Sequence, residues 1–487
     1  MKSELKINKI LKSIGKNSLI YGTSTALQPL GGFILLPLYS DYFEKSEFGI
    51  YTLILLISTI FSTVFHLGIN SAFIRSYYDY DLEEDRVKVF NTSLFILLIG
   101  LFLQILTCFL AKNILSVSIL KDERYVEILT ISVITSGVGF VNTGLLNYLR
   151  VKEKALKYTL VSSFSLVINI TLTLYLFEYF SKSINSPIYS ALFSQFLTLL
   201  LLILIHIKDI NLFNINKSEI KTLLHFGLPS ILAGSAIMIG EWGDKLLINE
   251  FLHKDELGIF SMGFRIAMIY NVIVAMPFAL VWNPLMMKIR AHSNAKYIFS
   301  RVAYLYFAFS LIFIFSTYVI LEPILTLLGF HSKFYDSLNY VPLLMMALAL
   351  GSLQNIYSAG ITFARKPIIF AFIYLVVGCA NFFISYIAII KYGIYGIVIT
   401  FILFKFIISI TIYYFSSKHF SFHIFDFGYV KLITLLFAGI FLYMNYFTYY
   451  NSFTFLFFYV LIYFLFLFKD EILHIITRLI KVSRSNT

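Results

Sequence analysis

Charge is scarce in this 487-residue chain: Asp, Glu, Lys and Arg make up 13% of it, against about 25% in ordinary soluble domains. That share, beside 59% hydrophobic residues, excludes a soluble globular protein. Cysteine is nearly absent. Cys108 and Cys379 both lie inside apolar runs, so they read as packing residues, and neither a disulfide framework nor zinc-ligand spacing exists. No Gly-x-x-x-x-Gly-Lys-Ser/Thr motif occurs, and no soluble stretch could host one, so the chain does not itself hydrolyse ATP. His-Glu-x-x-His and Gly-x-Ser-x-Gly are missing too, and no outward loop exceeds about twenty residues. There is little room for an external catalytic domain, and the chain does not read as an enzyme. No prosthetic group is expected.

What the chain does have is long apolar runs, such as 50–69, 89–111, 158–180 and 370–390. A helix needs about 20 such residues to cross a bilayer. Barrel strands are about half that length and alternate in character, so these runs are helices. The expected architecture is all-α and integral to the membrane, with about fourteen spans. Residues 1–16 carry Lys2, Lys6, Lys9, Lys12 and Lys16 with apolar residues at helical spacing, which suits a cytoplasmic helix on the membrane surface. No small-residue cleavage site follows it. Residues 17–207 and 223–415 each hold six spans, joined by a cytoplasmic linker, 208–222. Residues 416–468 add two more, separated only by the weak break "NYFTYYNSF", and 469–487 form an amphipathic cytoplasmic tail.

The charge of +12 suggests nucleic acid, but its distribution argues against that partner. With both termini in the cytoplasm, 27 of the 38 Lys and Arg fall on the inner side, eight on the outer side and three within spans. This is the positive-inside bias of a multi-pass membrane protein.

The chain also repeats itself. "YFEKSEFGIYTL" (42–53) and "FLHKDELGIFSM" (251–262) share Lys, acid, Gly and Ile at an offset of 209. "ILSVSILKDERYVEIL" (114–129) and "ILTLLGFHSKFYDSL" (324–338) match at an offset of 210. Six spans separate the copies, so both face the same way. Two six-helix lobes related as parallel repeats follow, a recurring transporter plan in which substrate binds between the halves near the midplane. In the repeated motif, Gly49 and Gly258 are expected to permit a tight outer turn into the next helix.

Charges inside spans cost at least about 2.5 kcal/mol each, so each needs a reason. "IGEWGDKLLI" in span 7 places Glu241 and Lys245 four residues apart, able to pair along one face, with Asp244 beside them; Arg265 follows in span 8. Two readings stand. The group is a neutral packing network, or Lys245 and Arg265 hold an anionic substrate group while Asp244 or Glu241 takes up a coupling ion. Lys405 in span 12 either snorkels or lines the cavity. Arg75, after span 2, meets substrate at the mouth or anchors that end. Asn142, Asn147, Gln354 and Asn355, in equivalent spans 4 and 10, contact sugars or bond helix to helix. Pro29 and Pro37 in span 1 and Pro229 in span 7 loosen the first helix of each lobe, as a gate or as ordinary kinks.

"KNSLIYGTSTALQPLGGFILLPLYSDYFEKSEFGIYTLI" and "LGINSAFIRSYYD" resemble the opening of Wzx-type polysaccharide flippases. These belong to the multidrug/oligosaccharidyl-lipid/polysaccharide (MOP) exporter superfamily. "WGDKLLINEFLHKDELGIFSMGFRIAMI" and "WNPLM" resemble the opening of its second half, and the likeness covers most of residues 16–415. The resemblance implies a two-lobed bundle that turns an undecaprenyl-diphosphate-linked oligosaccharide from the inner to the outer leaflet of a bacterial cytoplasmic membrane. It also implies surface-polysaccharide assembly (O-antigen, capsule or exopolysaccharide), coupling to a proton or sodium gradient, and a polymerase with its chain-length machinery as partners. Asp244–Lys245, Arg265 and Arg75 fall where such flippases carry charge. The first half departs from this: Leu36 and Leu56 stand where symmetry would place Lys245 and Arg265. A cation-coupled multidrug exporter and a membrane oligosaccharide polymerase are the rival readings.

Overall fold

The computed structural model describes residues 31–366 and 368–423, together with 431, 432, 434, 435, 459, 460 and 463. The basic N-terminal segment, most of span 1 with Pro29, nearly all of spans 13 and 14, and the tail lie outside the described residues.

α1 (Leu36–Tyr42) and α2 (Lys45–Phe65) meet at Glu44, where a reciprocal capping box forms. The Glu47 carboxylate accepts from the Glu44 amide at 3.0 Å. Gly68, at φ 66, breaks α2 from α3 (Ile69–Tyr77). α4 (Glu83–Leu115) opens on Glu83, Glu84 and Asp85, which complement the positive end of the helix dipole. It ends in a π-helical turn, Ser116–Leu120. α5 (Val126–Val151), α6 (Ala155–Tyr179) and α7 (Asn185–His206) follow.

α8 (Lys217–Phe251) starts under the Asn216 side chain, which accepts from the Ser218 amide, and it carries Pro229 in its interior. α9 (Lys254–Ala267) runs through a second π-helical turn, Asn271–Ala275, into α10 (Met276–Ile289). α11 (Ala295–Leu327), α12 (Val341–Ser352) and two short helices, α13 (Gln354–Tyr357) and α14 (Ala359–Phe363), come next. α15 (Ile368–Ser417) is two spans in one helical stretch, turned at Gly393, whose φ of 58 suits glycine. The Ser385 and Thr400 hydroxyls, 2.8 Å apart, tie its two arms together.

Ten helices among the described residues are long and apolar enough to cross a membrane. Since α15 contributes two spans, every expected span from 2 to 12 has its helix; the count of fourteen is not reached within the described residues. Phe102, Phe109, Leu110, Phe193, Leu204 and Phe383 point outward with more than half their surface exposed, as lipid-facing side chains do. α4–α7 pack together and against α2 and α3, while α8, α9, α11, α12 and α15 form the other group.

The four repeated segments meet at one end of the molecule. Gly49 lies against the Lys254 carbonyl, and a Cβ there would come within 2.8 Å of it. A Cβ on Gly258 would overlap the Lys45 carbonyl. The expectation of a tight turn is thereby corrected. Both glycines sit in the first turns of α2 and α9, and what they allow is contact between the two helix starts. Lys45 pairs with Asp336 at 3.0 Å, and Lys254 donates to the Leu120 carbonyl at 3.0 Å. Each copy of the first motif thus reaches the second motif of the other half.

At the opposite end, Lys152 joins α5 to Asp209 (2.9 Å) and Glu83 (3.1 Å). Burial pushes the Asp209 carboxyl up, but Lys152 outweighs it and holds the carboxyl below its usual range. Lys152→Ala should lower stability by about 1–3 kcal/mol, between surface and buried pairs. A detergent-solubilised melting curve checks it; an unchanged Tm would mean the link contributes nothing.

Candidate functional site

Between the two helix groups sits a row of cations seated on aromatic rings. Lys245 is 3% exposed, and its Nζ lies 3.9 Å from the Trp242 ring centroid and 4.4 Å from that of Phe264. Arg265 crosses to the other group, where its guanidinium faces Tyr39 at 5.2 Å and Tyr51 at 5.8 Å. It fits there because Gly32 has no side chain; a Cβ would lie 3.3 Å from Nη2. Among the described residues, neither cation has a carboxylate within salt-bridge distance. A desolvated ring face offsets about 2 kcal/mol of the burial cost without neutralising the charge. Neither charge is cancelled by a salt bridge, so each can bind an anion that reaches it. Leu36 and Leu56, at the symmetric positions, are fully buried, so this lining is one-sided.

The carboxylates are engaged differently from the helix-face expectation. Glu241 bonds Lys405 of α15 at 2.5 Å rather than Lys245 on its own helix, because Lys245 swings to the rings. Asp244, 3% exposed, faces the Ser385 hydroxyl, and its Oδ2 has no hydrogen-bond partner. Thr400 stands behind Ser385, and Asn381 is one turn earlier on the same arm, both buried. Glu241 and Lys405 also line a cavity of about 330 Å³ with Gln354 and Asn355.

Elsewhere the placements diverge. Arg75 lies on the Phe226 ring at 3.9 Å, at the end opposite the repeated motifs. The Asn142 amide donates to the backbone and side chain of Gln195, so it joins α5 to α7. Asn147, half-buried on α5, meets none of the cations just described. Pro37 occupies the first turn of α1, where its missing N–H costs nothing. Pro229 is interior to α8, and Gly227 beside it touches the Leu67–Gly68 break of the α2–α3 junction. Two weakened points of different helices therefore abut.

Sequence reading missed the ring seats and the Asp244 surroundings. Trp242 and Lys245, three apart on α8, were legible as a pair. Phe264, Tyr39, Tyr51 and Ser385 arrive from other elements and carry no local signal.

Residues 14–290, more than half of the chain, match a protein family described as "Polysaccharide biosynthesis protein". The chain belongs to that family. The fold is shared with solved members of the MOP superfamily. The inward closed conformation of the lipid II flippase MurJ aligns at a TM-score of 0.76 and 18% identity, covering 93% of this chain and 100% of that one. A MOP transporter from Pyrococcus furiosus, described as having a binding pocket of reversed polarity, aligns at 0.61 and 16%, over 84% and 95%. A MATE transporter in its straight conformation aligns at 0.60 and 17%, over 84% and 95%. At such identities these likenesses establish the fold alone. No curated protein sequence matches the chain.

Within this family member the Glu241–Lys405 pair makes a testable case. Glu241→Gln strands the buried Lys405 charge and should cost about 3 kcal/mol, while Lys405→Met leaves a carboxylate that is a third exposed and should cost less. The neutral double variant should recover most of that loss. Thermal unfolding of the four proteins measures it, and additive losses would show that the two groups act independently.

Proposed function

We propose that the chain is a flippase. It moves undecaprenyl-diphosphate-linked oligosaccharide units from the cytoplasmic to the outer leaflet of a bacterial inner membrane, for assembly of a surface polysaccharide. The observation that carries this is the pair Lys245, buried, and Arg265, half-buried, both seated on rings and without a salt bridge among the described residues. A diphosphate is the anion such a pair suits, since guanidinium and ammonium donors bond its oxygens directly. Family membership supports the polysaccharide part of the reading, and the flippase named among the structural likenesses supports the transport part. Gln354 and Asn355 then face the sugars, and Arg75 stands at the cytoplasmic mouth.

Asp244, with Ser385, Thr400 and Asn381 near it, is the proposed seat of the coupling proton or sodium ion. The positive-inside bias supports cytoplasmic termini. The end where the repeated motifs meet is then the outer end, closed in this state, and access would alternate through rocking of one half on the other. Transport of this kind makes and breaks no covalent bond, and a polymerase would be a separate partner.

A deletion strain tests the proposal. Loss of surface polymer with intact lipid-linked repeat units accumulating on the cytoplasmic face is expected. Normal polymer with new sensitivity to cationic drugs would replace the reading with multidrug export. Single units exported but never lengthened would replace it with polymerisation.

A further inference from the structure

Three amide side chains of the first half are consumed internally. Asn142 donates twice to Gln195, Gln104 bonds the Val133 carbonyl and Ser136, and Asn91 bridges Val87, Asp209 and Asn211. Four amides of the second half instead line cavities. Asn283 and Asn355 have no hydrogen-bond partner among the described residues. Asn271 reaches only the Met268 thioether, at 3.3 Å. Gln354 accepts from the Tyr374 hydroxyl, which leaves its amide N–H groups uncommitted.

These open groups share one furrow. The 330 Å³ cavity holds Asn271, Gln354 and Asn355, with Glu241 and Lys405 at its head. A second cavity of about 480 Å³ meets it at Gln354 and Asn355 and adds Asn283, Ser358 and Thr362. From Asn271 to Asn283 is twelve residues, a rise of about 18 Å, leading away from the end where the repeated motifs meet. Trp242 and Phe264 wall the first cavity, and the same two rings seat Lys245. The furrow therefore begins where the cation pair ends. Its charges, Glu241 and Lys405, already neutralise each other. What it offers is neutral donors and acceptors with aromatic faces between them, which matches the hydroxyls and C–H faces of a sugar chain and suits neither a free ion nor a purely apolar guest.

We infer that the glycan is read by this furrow of the second half. The sugar next to the diphosphate lies at Asn271 and the Glu241–Lys405 pair, and later sugars extend past Asn355 towards Asn283 and Thr362. This rests on the flippase reading above, and it places the determinants of sugar specificity on α10, α13 and α14. A site that bonds hydroxyls discriminates strongly against a ligand lacking them, because its own polar groups are then left unpaired.

The test compares two probes on the purified full chain in lipid nanodiscs: bare undecaprenyl diphosphate, and the lipid-linked oligosaccharide extracted from the deletion strain. The unaltered chain is expected to favour the glycan-bearing lipid by about tenfold or more. Asn355→Leu and Asn283→Leu should each cut that ratio roughly tenfold. Thr362→Val, a near-isosteric change, should cut it less and serves if a leucine variant fails to purify as a single species. Arg265→Ala should weaken both probes together. An unaltered chain without preference, or leucine variants with the ratio intact, would overturn the furrow while leaving the cation site standing. Undiminished binding of both probes by Arg265→Ala would instead overturn the flippase reading itself.

Discussion

Arg265→Ala should abolish surface polysaccharide while the protein still inserts and accumulates. The guanidinium crosses from one half to Tyr39 and Tyr51 of the other, and among the described residues no carboxylate depends on it for charge balance. Its removal therefore strands no buried partner, and stability should fall by no more than about 1–2 kcal/mol, the worth of the ring contacts. The loss falls on the ligand. A charge-assisted contact to phosphate shielded from bulk water contributes several kcal/mol, or more than about a hundredfold in affinity. Lys245→Ala should act alike but also unseat Trp242 and Phe264, so its stability cost is the larger. Arg265→Lys should retain part of the activity, since the charge survives while the planar fork does not. Polymer on the cell surface, normalised to membrane-fraction protein, is the readout. Normal display from both alanine variants would remove the cation pair from the mechanism.

Much of the fold was legible because membrane burial writes itself along the chain. Every span from 2 to 12 was visible as an apolar run, and the two repeats picked out the segments that meet at one end of the molecule. The hairpin at Gly393 could be placed because "KYG" interrupts an otherwise continuous run. The site was legible in kind but not in pairing. Glu241, Asp244, Lys245, Arg265 and Lys405 stood out because charge is costly in a span. Which charge meets which was hidden, because helix spacing favours Glu241–Lys245 while the rings of Trp242 and Phe264 draw Lys245 elsewhere and free Glu241 for Lys405. Asn142 shows the same limit: an amide in a span announces a hydrogen bond, and only packing shows that Gln195 takes it.

On the flippase reading, Gly258→Val should abolish surface polymer without touching Lys245 or Arg265. The Gly258 Cα lies on the Lys45 backbone, and Gly49 lies on that of Lys254, so the seam between α2 and α9 has no space for a side chain on either glycine. Backbone cannot retreat as a flexible side chain can. Overpacking of this kind costs about 1–3 kcal/mol or more, and here the cost falls only on the state in which the seam is shut. A cost of about 3 kcal/mol moves a two-state ratio by roughly a hundredfold. The protein would then rest with this end open, and Lys45–Asp336 and Lys254–Leu120 would part together, since each motif copy holds the other half's loop. Phe48 is fully buried in the seam against Phe334, so Phe48→Cys in a background lacking Cys108 and Cys379 reports its opening. An impermeant maleimide should label the introduced thiol slowly beside native Gly258 and at least about tenfold faster beside valine. Gly258→Val with that thiol still protected and with normal polymer would show that the seam is not the gate. Faster labelling with lost polymer would show that this duplicated motif acts by letting two helix starts touch and part.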